Sequence, residues 1–326
     1  MANLKREYWV NIILVGALLC APVLAALLDE SYYVNLSSRV AIIAMAAVGL
    51  NLALGFGGMI SFGHAAFFGI GGYVAGISAF HAFDGSTFLG LFPGTDQLLI
   101  IWPLAILTAG VIASLVGLIS LRTQNVYFIM ITLAFAQMIY YFAISLPTYG
   151  GEDGLLIYVR NGLPLFDTDN PLTFFGVCFI ALMLSIYISK RIMGSRFGAA
   201  LTMAKLNDTR LAATGIEPFP IRLTAFVISA MITGAAGALY ADLNGFVGPS
   251  MLSWHRSGEI MVIVILGGVG RLFGPIAGAF AFVLLETFIG GITERWQLFL
   301  GIILLAVVLY AKGGLMGIFA KEARHD

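Results

Sequence analysis

Charged residues are scarce in this sequence of 326 residues. Lysine and arginine number 17, as do aspartate and glutamate, which makes 10% of the chain charged, whereas ordinary globular proteins carry about 25%. Hydrophobic residues make up 60%, and the mean hydropathy is +0.97. This composition excludes a cytosolic enzyme, a nucleic-acid-binding protein and a disordered scaffold. It is typical of an all-α polytopic membrane protein with short loops.

Cysteines and catalytic motifs are also scarce. Cys20 and Cys178 lie in apolar stretches, so we interpret them as small buried residues and not as a disulfide. The histidines are scattered, which predicts no metal site. The sequence has no GxxxxGK[ST] motif for ATP, and HExxH, CxxC and GxSxG are missing too. We therefore expect no enzymatic activity and no cofactor in this chain.

Apolar stretches of about 20 residues predict the membrane spans. The stretch 258–291 is interrupted by four glycines and a proline between positions 267 and 275. We interpret it as two helices that meet near Arg271, which gives about ten spans in a single domain, residues 1–326. The predicted spans are 10–28, 39–57, 65–83, 98–120, 125–146, 171–189, 221–241, the two within 258–291, and 297–311.

The distribution of lysine and arginine predicts the orientation. With the N-terminus inside, most of these residues are cytoplasmic, and ten spans place the basic C-terminal tail inside as well. The first span is too long for the apolar segment of a signal peptide, so we expect it to be uncleaved. The predicted cytoplasmic set is Lys5, Arg6, Arg122, Lys190, Arg191, Arg196, Lys205, Arg210, Arg222, Arg271, Lys312, Lys321 and Arg324, and the outer set is Arg39, Arg160, Arg256 and Arg295.

Two predicted loops are longer than a turn. The outer loop, residues 147–170, contains Pro and Gly turn signals. The inner loop, residues 190–220, is polar enough for one short surface helix over roughly Gly198–Ala213, which Gly215 ends.

Glycine is concentrated in two segments. Residues 51–76 contain eight glycines, and residues 267–275 repeat the pattern of Gly-Gly followed by Phe-Gly. Broken helices at membrane depth must be buried in protein or line a cavity, and paired interruptions indicate an internal repeat around a central pathway. Alternatively, these glycines only permit close helix packing, since the pairs Gly72/Gly76 and Gly274/Gly278 have GxxxG spacing.

Segment 51–76 resembles the signature of the LivM branch of permease subunits in branched-chain amino-acid ABC transporters. Residues 150–155 resemble the family's TGG-x-DGL loop, and residues 198–216 align without gaps with its GRAL-x-AIRENE-x-AA-x-x-x-GI loop. Residues 225–240 match the membrane span that follows this loop in the family. Residues 267–278 match the family's GG-x-G-x-x-x-GP-x-x-G run. The matches are spread over residues 51–280, which is most of the chain.

The resemblance implies an importer subunit of the bacterial inner membrane; the count of ten spans and the positions of lysine and arginine predict that both termini are cytoplasmic. Its implied partners are a second, LivH-type permease, two cytoplasmic LivG- and LivF-type ATPases that bind the ATP, and a periplasmic substrate-binding protein. The alternatives are a urea or short-amide permease of the same family, an ion-coupled secondary transporter, and a purely structural membrane subunit.

The resemblance also implies which loops contact the partners. Residues 198–216 correspond to the segment that couples the permease to an ATPase, where Lys205 and Asp208 stand for an Arg and a Glu of the family pattern. Alternatively, this loop only anchors the topology. Glu152 and Asp153 are candidates for contact with the binding protein, or they form a plain acidic loop. The proposed coupling residues are Gly198, Lys205, Asp208, Arg210 and Gly215.

Polar residues within spans are costly in lipid, so they are candidates for the substrate pathway. Glu286 would pair with a substrate ammonium group, or would instead bond a neighbouring helix or lie near the outer interface. For His64 the alternative is helix packing. The candidates are Asn51, Ser61, His64, Asn125, Gln137 and Glu286.

Overall fold

The fold is described from a computed structural model that covers residues 2–88, 92–123, 125–158, 160–164, 167–293, 295–310 and 313–319. Lys312, Lys321 and Arg324, which contribute to the predicted orientation, lie outside these residues. The described chain is almost entirely helical. The α-helices are α1 (Ala2–Leu27), α2 (Ser31–Asn51), α3 (His64–Asp84), α4 (Leu98–Ser120), α5 (Val126–Ile144), α6 (Pro171–Met193), α7 (Arg196–Leu206), α8 (Asp208–Ala213), α9 (Pro218–Asn244), α10 (Trp254–Gly267), α11 (Gly274–Gly290), α12 (Trp296–Tyr310) and α13 (Gly314–Phe319).

Local sequence signals set several helix ends. Pro171 occupies the first turn of α6, and the Asn170 side chain accepts a hydrogen bond of 3.0 Å from the Leu172 amide. Proline suits this position because its missing N–H needs no partner there. α9 ends at Gly245, whose φ of +62° is readily adopted by glycine.

Among the described residues, seven helices are long and apolar enough to cross a membrane: α1 from Trp9, α2 with its continuation to Phe56, α3, α4, α5, α6 and α9. α2 lies at the centre, with 89% of its most apolar stretch buried, whereas α1 lies at the periphery with 17%. Cys20 is accordingly exposed on α1, contrary to the prediction, while Cys178 is buried. α10, α11 and α12 are shorter than these seven helices, so the structure confirms a polytopic helical protein but does not establish ten spans.

The core forms where α3 and α9 cross. The backbone of Gly71 lies against the Gly234 carbonyl, and Gly237 lies against the Phe68 carbonyl. Two helix backbones approach this closely only where the residue at the point of contact, here Gly71 or Gly237, has no side chain. At this crossing, glycine therefore permits close helix packing, which was one of the two alternatives considered from the sequence.

The stretch 258–291 consists of two helices, α10 and α11, as predicted. They run antiparallel, because Gly267 lies beside Gly274 and Gly278 lies against the Ile263 carbonyl. The break between them, residues 268–273, forms the tip of a helical hairpin, where Gly268 and Gly270 have positive φ.

The surface helix predicted over Gly198–Ala213 is instead two helices, α7 and α8. The chain is extended at Asn207, with φ −165° and ψ 112°. The Asn207 side chain accepts a 3.1 Å hydrogen bond from the Arg210 amide and so begins α8. Asparagine favours this N-cap position over a helix interior, which explains the break.

The ends of the bundle differ in charge and in structure. We call the end with α7, α8 and the hairpin tip the inner end, because the basic residues predict that it faces the cytoplasm. The opposite, outer end contains two small antiparallel strand pairs: β1 (Thr87–Phe88) with β2 (Phe92–Pro93), and β3 (Leu155–Leu156) with β4 (Phe246–Val247).

Replacing Gly71 with alanine tests the helix crossing. We expect Gly71→Ala to destabilise the protein by about 1–3 kcal/mol, because its methyl group meets the Gly234 backbone. Gly176→Ala on α6 is the control, since an added Cβ there has open space. Thermal unfolding in detergent measures both, and equal melting temperatures would contradict this account of the crossing.

Candidate functional site

The two glycine-rich segments meet at the inner end of the bundle. α2 continues as a π-helix, Leu52–Phe56, and Asn51 is the residue at which the α-helix changes to it. The Asn51 amide nitrogen donates to the Arg271 carbonyl, and the Gly270 amide donates to the Asn51 side-chain oxygen, both at 2.9 Å. One buried side chain thus pairs with a donor and an acceptor in the hairpin tip.

Gly55 allows this contact because it has no side chain. A Cβ at this position would overlap Asn51 Oδ1 and the backbone of Gly270. Its carbonyl oxygen accepts a 2.7 Å hydrogen bond from Lys205 Nζ on α7. The surface segment, the end of α2 and the hairpin tip therefore form one connected junction, which we call the inner junction: Asn51, Gly55, Lys205, Gly270 and Arg271.

A cavity of about 160 Å³ lies beside the inner junction. Lys205 and Arg222 contribute positive charge to its wall, and Asn125 contributes an amide. Asn125 has φ +54° and ψ −125°, a positive-φ conformation outside the left-handed helical region. The lining residues are Gly57, Gly58, Met59, Ile60, Leu121, Thr123, Asn125, Phe128, Ile129, Lys205 and Arg222.

Two charged side chains of the α7–α8 segment, Lys205 and Asp208, bond the permease body. Asp208 forms a 2.9 Å ion pair with Arg222 of α9, and Arg222 also donates to the Ala204 carbonyl at 3.1 Å. Arg210 is exposed. The segment is bounded by Gly198, which packs against the end of α6, and by Gly215, which has φ +82°.

Ser61 and His64 lie in the core beside the junction. His64 Nε2 is 2.7 Å from Ser229 Oγ, and Ser229 donates to the Gly49 carbonyl at 2.6 Å. Ser61 Oγ accepts from the Gly63 amide at 3.1 Å. These contacts join α2, α3 and α9, which favours the packing alternative for His64.

The remaining pathway candidates lie apart from the inner junction. Gln137 is half-buried on α5. Glu286 pairs with Arg39 of α2 through contacts of 2.7 and 2.9 Å to its two carboxylate oxygens. Glu286 therefore bonds a neighbouring helix, which is one of the alternatives considered from the sequence. Its carboxylate already has a partner in this conformation.

Sequence reasoning missed Ser257. Its hydroxyl donates to the Phe62 carbonyl at 2.7 Å and accepts from the Ala65 amide at 2.9 Å, which joins α10 to the loop before α3. The predicted span began at residue 258, one residue too late to include it. The sequence did contain a signal for this contact, which was the group of polar residues at the margin of an apolar run: Arg256, Ser257 and Glu259.

The outer acidic pair lies on a tight turn. Glu152 and Asp153 are exposed, and the glycines around them at 150, 151 and 154 all have positive φ. Among the described residues, no three His, Cys, Asp or Glu side chains are grouped so as to bind a metal ion.

Comparison with known proteins gives a consistent set of matches. Residues 32–308 match the family model described as the permease component of a branched-chain amino acid transport system. The chain is 25% identical over 307 residues to the high-affinity branched-chain amino acid transport system permease protein LivM of Escherichia coli K12, covering 87% of this chain and 69% of that protein. The LivM protein of Salmonella typhimurium LT2 matches with the same identity and coverage. No solved structure matches the chain.

The Asn51 contacts give a local prediction. Asn51→Ala removes two buried hydrogen bonds and leaves backbone groups unpaired, so we expect opening of the hairpin tip to become easier by about 2 kcal/mol. Hydrogen exchange in a peptide covering residues 267–275 should accelerate roughly 30-fold. Gln137→Ala is the control, and unchanged exchange in Asn51→Ala would contradict the role of this side chain.

Proposed function

Because the chain belongs to the family of permease components of branched-chain amino acid transport systems, we propose that it carries branched-chain amino acids inward across the bacterial inner membrane. The family match over residues 32–308 is the observation that carries this proposal. ATP hydrolysis on separate subunits would drive alternating access, since this sequence has no P-loop of its own.

The proposed complex contains a second, LivH-type permease, two LivG- and LivF-type ATPases and a periplasmic binding protein. Glu152 and Asp153 support the last contact, because a glycine turn presents both exposed carboxylates at the outer end. Charge complementarity at such a site would guide docking.

The proposed topology has ten crossings, formed by α1 to α6 and α9 to α12, with both termini cytoplasmic. The short hairpin of α10 and α11 supplies two of them. Lys205, Arg210, Arg222 and Arg271 at the inner end support this orientation.

The α7–α8 segment is the proposed docking element for an ATPase. Leu206 is 79% exposed and Met203 is 40% exposed, and Arg210 is exposed beside them. These side chains provide an outward apolar and basic surface. Lys205 and Asp208 instead bond Gly55 and Arg222, so we assign them to transmission of movement into the permease.

The substrate pathway is proposed to end near the inner junction. Asn51 and Asn125 are the candidates nearest the cavity there, whereas Ser61 and His64 would support the pathway by packing. Gln137 remains a proposed lining residue on α5, and Glu286 would contribute through its pair with Arg39.

Reconstitution tests the function and its alternatives. We expect this chain, co-expressed with the LivH-type permease, to co-purify with both ATPases and to import leucine into liposomes when ATP and loaded binding protein are supplied. Import of urea or acetamide in preference to leucine would favour the alternative within the family. Uptake by the chain alone, driven by an ion gradient, would overturn the proposal.

A second experiment separates docking from transmission. In the double variant Lys205→Ala with Asp208→Ala we expect the ATPases to assemble normally, because Met203 and Leu206 are intact. Stimulation of ATP hydrolysis by loaded binding protein should fall by about ten-fold, or roughly 1.4 kcal/mol of coupling. Leu206→Asp should instead weaken assembly itself. Unchanged stimulation in the double variant with intact assembly would refute the transmission role.

A further inference from the structure

A second polar cluster lies in the outer half of the bundle. Arg39 of α2 pairs with Glu286 of α11, and on α10 Arg256 Nη1 donates to Glu259 at 2.7 Å. Arg256 Nη2 also donates to the Tyr240 hydroxyl of α9 at 3.1 Å. Four helices thus bring two guanidinium groups, two carboxylates and a phenol together between apolar segments.

The two ion pairs differ in what they connect. Arg39 and Glu286 join α2 to α11, which gives that pair a structural role. Arg256 and Glu259 are three residues apart on one helix, and within the described part of the chain the Glu259 side chain makes its only hydrogen bond to Arg256. An ion pair within a single helix stabilises little, and its desolvation is costly. Glu259 compensates the charge of Arg256 but does not connect α10 to another helix.

An apolar cavity lies directly beside this pair, between α2, α3, α10 and α11. Its volume is only about 10 Å³, close to the minimum for one water molecule, so the cavity is closed in this conformation. α10 begins after the extended residue Ser253 and is followed by Gly268, which has φ +117°. The lining side chains other than the ion pair are Ile43, Ala46, Phe68, Ile260, Ile263 and Phe282.

Arg256 is held in a fixed orientation. Its guanidinium carbon lies 5.0 Å from the centre of the Tyr240 ring and 5.8 Å from that of Phe68. A guanidinium oriented in this way suits a carboxylate, and a nearby carboxylate suits an ammonium group. When the site is empty, the two charges neutralise each other.

We propose that Arg256, Glu259 and the adjoining apolar cavity form a recognition site for a zwitterionic aliphatic amino acid on its transport path. When α10 moves outward, the substrate carboxylate binds Arg256, its ammonium group binds Glu259, and its side chain contacts Phe68 and Ile260. The inference rests on the proposed function and specifies where the permease itself contacts the substrate.

The test uses the full complex in proteoliposomes with binding protein and leucine. In Glu259→Gln we expect kcat for leucine uptake to fall at least about ten-fold, with KM for loaded binding protein unchanged within about two-fold. Asp84→Asn is the matched control, an exposed acid at the end of α3 whose variant should transport as the wild type does. Co-purification of the ATPases verifies assembly, and if Glu259→Gln does not assemble, Glu259→Ala, which also removes the carboxylate, is judged by the same criterion.

The exchanged variant Arg256→Glu with Glu259→Arg distinguishes recognition from structure. It restores an ion pair but reverses the positions of the charges, so we expect no recovery of uptake. Recovery to the wild-type rate, or a wild-type kcat in Glu259→Gln, would overturn the inference while the proposed function stands. Failure of the wild-type complex to import leucine would overturn the proposed function and the inference with it.

Discussion

The inner end of this protein depends on the pairing of backbone groups where helices are broken. Lipid offers no partner to a free amide or carbonyl, so a break at membrane depth must be satisfied by protein. At the inner end, the break between α10 and α11 is paired by the protein itself, because the Asn51 side chain donates to the Arg271 carbonyl and accepts from the Gly270 amide. The π-helical turn after Asn51 and the missing side chain at Gly55 bring the two segments within reach.

Glycine serves two purposes in this bundle, and the two purposes belong to different positions. Gly71 and Gly237 let α3 and α9 cross backbone to backbone, which is a packing role. Gly55 and Gly270 permit the interrupted segments to meet. Some glycines of this chain therefore serve helix packing, and others serve the contact between broken helices.

Charged side chains occur in two functional regions of the molecule, one at the inner end and one in the outer half. At the inner end Lys205 and Asp208 bond the permease body, which leaves an apolar and basic surface, including Leu206, for the proposed ATPase contact. In the outer half, Arg256 and Glu259 lie beside a closed apolar cavity. The proposed import of an aliphatic amino acid needs both regions, because a conformational change must be transmitted from the inner surface to the substrate site.

The sequence alone determined the properties that depend on local composition. Apolar length indicated the helices, the glycines and proline near Arg271 predicted the hairpin break, and the motifs of residues 51–280 indicated the family. It did not show that Asn207 divides the surface helix, although asparagine is a known N-cap. Only the tertiary structure decided that Lys205 faces Gly55, that Glu286 pairs with Arg39, and that Asn51 reaches Gly270. These partners are separated by 150 to 247 positions in the chain. The sequence around a side chain does not show which distant part of the chain lies beside it in the folded protein.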